Sequence, residues 1–339
     1  MSSAVPRPLL GVVLEKIAPK IGAKVIMEPN WNIVGQIIFK NGRQRYFRYS
    51  STDLNPLGAA LLAKDKDYAN YFMNSMGYPS IEGRTFYSKD WAVAIGSDQG
   101  IDAAFEYAKT LSLPVIVKPN SGSQGSGVFL VRTKQEFYKG LRAIFKKENV
   151  ALVQRYMQGR DYRIVVLDDE VVAAYERVPL SVVGNGKSTI QELLEAKAKK
   201  FVGSSRDIRI QIDDPRIVHK VRAQGLCMTS TPKKGEQIFL LENSNLSTGG
   251  EAIDVLEVLH PSYKKIAISL TKDMGLRLCG VDMMVSRDIT QEMARLQGVH
   301  ILEINASPGL DHYAKSGVKQ REIVESIYFK VLQKLEKMQ

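Results

Sequence analysis

Three oxygen-bearing side chains sit at the ends of two late apolar runs. GVDMMV carries Asp282, and ILEIN carries Glu303 and Asn305. Strand alternation puts Glu303 and Asn305 on one face. If Asp282 lies on the neighbouring strand, two carboxylates and a carboxamide meet, a hard-oxygen set suited to Mg²⁺. Taken singly, each is also an ordinary exposed polar residue. A second feature lies far upstream, in VIVKPNSGSQGSGVFLV. Lys118 precedes a loop in which Gly122, Gly125 and Gly127 permit close backbone approach, and Ser121, Ser123, Gln124 and Ser126 add donors. A Walker loop places its lysine after the glycines, and a dinucleotide loop opens a helix; this segment does neither. It reads as strand, loop, strand, able to close over nucleotide phosphates. On composition alone it is equally a flexible turn.

The elements that must position these groups read as a mixed α+β chain. KVIMEPN, IVGQIIF and QRYFRYS are strand-like, with an Asn41-Gly42 turn between the last two. GAALLAKDKDYANYFMNSMG reads as one helix, with Leu61, Tyr68, Tyr71 and Phe72 on its apolar stripe and Gly77 as its stop. Helices are expected over DAAFEYAKT and TKQEFYKGLRAIFKK, the latter burying Phe137, Leu141, Ile144 and Phe145. ALVQRYM is a strand, and RIVVLDDEVVAAYERVP a hairpin about Asp168 and Asp169. STIQELLEAKAKK has capping-box spacing from Ser188 to Gln191. SYKKIAISLTKDMG and EIVESIYFKVLQKLEKM are amphipathic, the latter set to pack on a sheet. We divide the chain at 1–80, 81–155 and 156–339.

The 339 residues are 44% hydrophobic, enough for a substantial core, and 24% charged. The net charge of +11 suits nucleic acid, an anionic membrane, acidic substrates or plain solubility. The cations are dispersed, and KAKK at 197–200 reads as a solvated helix face. No nucleic-acid signature accompanies them, and no obligatory nucleic-acid partner is expected. Cys227 and Cys279 are read as packing residues of a reduced, cytoplasmic protein. No apolar run reaches membrane-spanning length, and the four histidines are too scattered for a zinc set. A homo-oligomer is compatible with all of this.

In its motif order the sequence resembles the ATP-grasp carboxylate–amine ligases. It is most similar to the ATP-grasp part of cyanophycin synthetases and to the bacterial glutathione synthetase group. The resemblance runs from NPLGAALLAKDKDYANYFMNSMGYP to about residue 330. It is carried by LVQRYMQGRDYRIVVLDDEVVAAYERVP, VVGNGKSTIQELLE, LLENSNLSTGGEAIDV, GVDMMV and ILEINASPGLD. It implies a nucleotide held between two sheets, with Lys118 near the α/β-phosphates and the 121–127 loop near the terminal ones. It also implies an adenine-facing hinge at Gln154, Arg155, Tyr156 and Met157, and a ribose contact at Asp161. Lys66 would be a further nucleotide-side lysine. Asp282, Glu303 and Asn305 match the metal positions, implying two Mg²⁺ ions, or Mn²⁺ in their place. Gln154 departs from the glutamate common at the hinge, which puts adenine affinity in question.

The resemblance further implies that Arg177 stabilises an acyl phosphate or its tetrahedral successor, that Arg163 orients an anion, and that Asn245 in NLSTGG holds substrate. Either arginine could instead form an internal ion pair. Gly280 stands where some amino-acid ligases place arginine. The implied reaction joins a carboxylate, of an amino acid or small peptide, to an amine at the expense of ATP. The alternative is a non-catalytic, ATP-responsive binding or scaffold protein. The chain lacks the Mur-ligase-like half of full cyanophycin synthetases, so a single-reaction ligase is expected. Alanine at Asp282 or Glu303 is expected to impair turnover and leave the fold largely intact.

Overall fold

The computed structural model describes residues 7–121, 127–201, 210–293 and 296–338. The chain starts with α1 (Leu9–Ile17), whose Leu10, Val13, Leu14 and Ile17 recur at helical spacing and are buried. A four-stranded antiparallel meander follows: β1 (Lys24–Met27), β2 (Val34–Ile38), β3 (Gln44–Arg48) and β4 (Ser51–Thr52). Gly42 adopts φ 81° in the expected turn.

The long helix expected next is two helices, α2 (Leu57–Lys64) and α3 (Lys66–Ser75). Asp65 is extended, and its carboxylate accepts the amide N–H groups of Asp67 and Tyr68, capping α3 and ending α2. The expected stripe of Leu61, Tyr68, Tyr71 and Phe72 is exposed, while Ala63, Ala69 and Met73 face the core.

A second sheet, ordered β5-β8-β6-β7, is made by β5 (Gly83–Tyr87), β6 (Val115–Pro119), β7 (Phe129–Val131) and β8 (Val150–Arg155). Between them come α4 (Lys89–Ala94), α5 (Ile101–Leu111) and α6 (Lys134–Phe145). Helices α5 and α6 cover one face through Ala104, Ala108, Phe137, Leu141 and Ile144, with Phe145 packed at the margin. A reciprocal Thr133–Glu136 cap starts α6.

The remainder is built on a five-stranded antiparallel sheet ordered β13-β10-β9-β14-β15. Its strands are β9 (Arg160–Leu167), β10 (Glu170–Val178), β13 (Glu251–Asp254), β14 (Leu278–Val285) and β15 (Val299–Asn305). Asp168 turns the β9–β10 hairpin at φ 55°. A small insert joins β11 (Ser181–Val183) and β12 (Gln237–Phe239) to α7 (Ile190–Phe201) and α8 (Pro215–Ala223) around its own core. The cap of α7 lies one residue later than expected: Thr189 Oγ1 accepts Glu192 N–H and Glu192 accepts Thr189 N–H. Lys197 is not merely solvated; it pairs with Glu251 and donates to the Ser181 carbonyl.

One face of the large sheet packs on α9 (Pro261–Asp273) with α2 and α3. The other packs on α1 and on α10 (Asp311–Lys315) and α11 (Val318–Lys337). Cys279 is buried as expected, whereas Cys227 is exposed and is not a packing residue. Among the described residues no helix is long and apolar enough to cross a membrane.

The burial of Met73 predicts that Met73→Ala lowers stability by about 2–4 kcal/mol through an unfilled cavity. Tyr71→Ala, on the exposed stripe, is expected to change it by less than about 0.5 kcal/mol. Urea-denaturation midpoints of the two variants check this, and the single-helix reading gives the opposite ranking.

Candidate active site

Alternation along four adjacent strands gathers Asp161, Arg163, Arg177, Asp282 and Glu303 on one face of the large sheet. Register sets Asp282 opposite both Arg163 and Glu303, Asp161 opposite Arg177, and Gly280 opposite Asn305. Further along the same face come Val165, Leu167, Tyr175 and Leu278, which belong to the apolar core. A β-bulge follows Asp282: Glu303 pairs with it, but the next residue, Met283, pairs with Ile301. The bulge lets Asp282 and Glu303 share the polar face, while Met283 and Ile301 return to the opposite core.

Asp282 has no solvent exposure. Arg163 grips it bidentately, Nε to Oδ1 and Nη2 to Oδ2, each at 2.7 Å. Arg177 Nη2 lies 3.0 Å from Oδ2. The same Arg177 donates to Asp161 Oδ1 from Nη2 at 2.6 Å and from Nε at 3.1 Å. Burial by itself would raise the Asp282 carboxyl; Arg163 and Arg177 more than cancel that and hold it at about 2. Asp161 shares one arginine and feels the Asp282 charge, so burial prevails and its carboxyl is pushed up. At Gly280 a Cβ would lie only 3.0 Å from Pro308, while its 3.6 Å approach to Arg163 Nε would be an ordinary contact.

The facing wall comes from the second sheet. Lys118, on β6, is buried and makes no hydrogen bond or ion pair among the described residues. Burial pulls its ammonium down to about 8, against the opposing pull of Glu303. Gln154 is buried and donates to the Ile81 carbonyl at 3.3 Å. Arg155 is tied to Glu82 and to the Leu111 carbonyl. Lys66, on the first turn of α3, donates to the Asn120 carbonyl at 3.1 Å.

These residues line one cavity of about 1500 Å³ together with Ser121, Tyr156, Met157 and Asn245, and with Asp161, Arg163, Arg177, Asp282, Glu303 and Asn305 from the opposite wall. Gly127 stands apart, packed on Pro119 at φ 71°. Gly122, Ser123, Gln124, Gly125 and Ser126 lie outside the described residues. Asn245 opens a 3-10 turn at Leu246–Thr248, its carbonyl accepting Thr248 and Gly250 N–H groups.

Glu303 and Asn305 are half-buried and face the cavity, with Asn305 Nδ2 3.5 Å from Glu303 Oε1. With Asp282 beside them they form a hard-oxygen donor set of the kind a divalent cation requires. Asp282 already serves two guanidiniums, so it would share its lone pairs rather than offer an open carboxylate.

Residues that the sequence did not signal also line the cavity. Arg216, His219 and Lys220 come from α8, and Glu242 bridges Lys220 at 2.8 Å to Arg132 at 3.2 Å. Tyr175, Asn243 and Asp311 were equally silent. Only the tertiary fold brings these segments, α8, β10, α10 and the stretch after β12, to one cavity.

The expectation that Asp282 is dispensable to the fold is corrected by this geometry. Asp282→Asn leaves two buried guanidiniums without their anion and is expected to cost about 3–5 kcal/mol. Glu303→Gln, on the half-buried rim, is expected to cost less than about 1 kcal/mol. For wild type, the stabilisation from Asp282 is complete above the ordinary carboxylate range and is lost as pH falls toward about 2, because the folded carboxyl is depressed. Urea titrations of the three proteins at pH 7, and of wild type down to acid, measure both effects.

The RimK-like ATP-grasp domain model matches residues 89–212 and 190–327. The chain is 34% identical over 203 residues to the glutathione biosynthesis bifunctional protein GshAB of Clostridium perfringens, a stretch covering 58% of this chain and 26% of that protein. It is 33% identical over 282 residues to the cyanophycin synthetase of Trichormus variabilis, covering 81% of this chain and 30% of that protein. Among solved structures, a bifunctional glutathione synthetase from Pasteurella multocida matches 96% of this chain and 45% of its own. Its TM-score is 0.63 at 25% identity. The chain thus spans about a third or less of these curated relatives. Two facing sheets, the lysine and arginine walls and the matched segments agree: the chain belongs to the RimK-like ATP-grasp family.

Proposed function

We propose that the chain is an ATP-dependent carboxylate–amine ligase, acting in the cytoplasm on an amino acid or small peptide. One observation carries this reading. Lys118 and Arg177 meet Asp282, Glu303 and Asn305 in a single cavity, with Lys118 in electrostatic reach of Glu303 and Asp282. Lys118 and Lys66 supply positive charge for the nucleotide phosphates, and the Gln154–Met157 segment faces the base. Glu303 and Asn305, with Asp282, would hold a divalent cation, which neutralises the phosphate oxygens when bound.

In the first step a substrate carboxylate oxygen attacks the γ-phosphorus of ATP. The bond to the bridging β–γ oxygen breaks, giving ADP and an acyl phosphate. The neutral amine then attacks the acyl carbon. The carbon–oxygen bond to phosphate breaks, phosphate departs, and the amine's proton is lost as the amide forms. Arg177 suits the second step. Its Nε and Nη2 are committed to Asp161 and Asp282, and among the described residues Nη1 carries no hydrogen bond. A guanidinium fixed in this way meets the developing oxyanion without reorganising. Asn245 and its loop supply donors for the carboxylate substrate. No enzymic nucleophile is needed, and neither cysteine lines the cavity.

Incubating the chain with Mg-ATP and a pool of amino acids and short peptides is expected to yield ADP together with an amide of matching mass. Arg177→Lys, which cannot span both carboxylates, is expected to lower kcat by roughly 100-fold. ADP without any amide across a broad pool overturns the ligase reading.

The depressed Lys118 ammonium gives a pH signature. Above about 8 it loses its proton and its attraction for phosphate. ADP affinity in EDTA is therefore expected to weaken, by up to about ten-fold per pH unit between pH 8 and 9.5. Lys118→Arg is expected to flatten that slope, and calorimetry across the range reads it directly.

A further inference from the structure

Beyond Arg177 and Arg163 the cavity changes character. Its wall there is made by Leu10, Tyr49, Asn243, Tyr175, Asp311 and His312 rather than by a cationic cluster. Several contacts tie this part together. Tyr175 stacks on Tyr313 with centroids 4.5 Å apart, the Ser51 hydroxyl lies 2.8 Å from that of Ser307, and α10 packs against the 3-10 turn after Asn245. Tyr328 lies within electrostatic reach of both Asp311 and Tyr175.

The carboxylates of the cavity are otherwise accounted for. Asp161 and Asp282 are held by arginines, and Glu242 by Arg132 and Lys220. Glu136 closes a helix cap, and Glu303 faces the candidate cation position. Asp311 remains. Its Oδ1 accepts the Leu9 N–H at 3.1 Å, and no cation pairs with it among the described residues. That is notable in a chain carrying 47 lysines and arginines against 36 acids.

In the same cavity, among the described residues, the Asn243 amide nitrogen has no hydrogen-bond partner, and the fully buried Tyr175 hydroxyl has none of good geometry, its cross-strand neighbour Arg163 being within electrostatic reach. Buried polar groups without partners are costly, and a lined cavity that keeps them is shaped for a polar ligand.

We propose that Asp311 binds a second, non-reacting ammonium or guanidinium of the amine co-substrate, so that the chain selects basic amino acids or diamines. This rests on the ligase reading. The attacking amine must be neutral, so the group that Asp311 neutralises is a different one. The Tyr175 hydroxyl and the Asn243 amide then pair with the polar backbone of the same ligand. The cationic wall keeps the phosphates and the acyl group, and the lone carboxylate keeps the basic end of the acceptor.

The test uses the full chain with Mg-ADP and two matched probe pairs: L-arginine against L-citrulline, and 1,5-diaminopentane against pentylamine. In calorimetry the cationic member of at least one pair is expected to bind roughly ten-fold or more tightly than its partner, as a charge-assisted contact requires. Asp311→Asn keeps an acceptor for Leu9 N–H and removes only the charge. It is expected to erase that preference and leave ADP affinity unchanged, whereas Asp311→Glu is expected to keep part of it. Equal binding of each pair by wild type, no binding of any probe, or a preference that survives in Asp311→Asn overturns the assignment. Discriminating binding without any amide product would instead sink the ligase reading and leave Asp311 as a cation-binding residue.

Discussion

A carboxylate with no solvent exposure, clamped by two guanidiniums, is the constraint around which the site is organised. Moving an ion from water into a protein interior costs several kcal/mol, and attraction offsets this only when the geometry is complete. Asp282 meets that condition through bidentate Arg163 and a third contact from Arg177, which Asp161 holds in turn. Two anions and two cations thus form a nearly neutral cluster inside an otherwise apolar sheet. Well-packed apolar residues would serve stability as well, so the cluster is better understood as a device for immobilising donors.

The sheet can carry such a cluster because its two faces do different work. One face is mainly apolar and is covered by α9, α2 and α3. The other begins as core beneath α1, α10 and α11 and ends as the floor of the cavity. Tyr175 and Arg177, two residues apart on β10, mark the change from packing to chemistry. The bulge after Asp282 brings Glu303 beside it and returns the following residues to the core. Without that extra residue, strict alternation from Met283 and Ile301 would set Asp282 and Glu303 out of step.

The site is also divided along its length. Lys118, desolvated and with no ion pair among the described residues, suits a phosphate chain. The opposite region is walled by hydroxyl, amide and carboxylate groups, several of them from the N-terminal region and from α10. The N-terminal meander therefore does more than cover a core. Its β3–β4 turn and the start of α1 close the part of the cavity where an acceptor would lie.

The late strands, the β9–β10 hairpin and the lysine-bearing strand could all be read directly from the sequence, because strong alternation and turn residues act locally. The same local logic placed Glu303 and Asn305 on one face, and motif order pointed to the family; the strand pairing then set Asp282 beside them. It failed around Asp65, where one capping side chain splits the expected helix in two, and where the face of Ala63, Ala69 and Met73 is buried while Tyr68, Tyr71 and Phe72 lie exposed. It could not show that Asp282 spends its charge on Arg163 and Arg177, or that Asp311 stands in the cavity with no cation paired to it among the described residues. Those facts depend on cross-strand register and on which distant segments share a wall. Local periodicity determines what each segment becomes; only the closed tertiary structure determines which charges are desolvated together, because burial and partner choice are properties of the assembled chain.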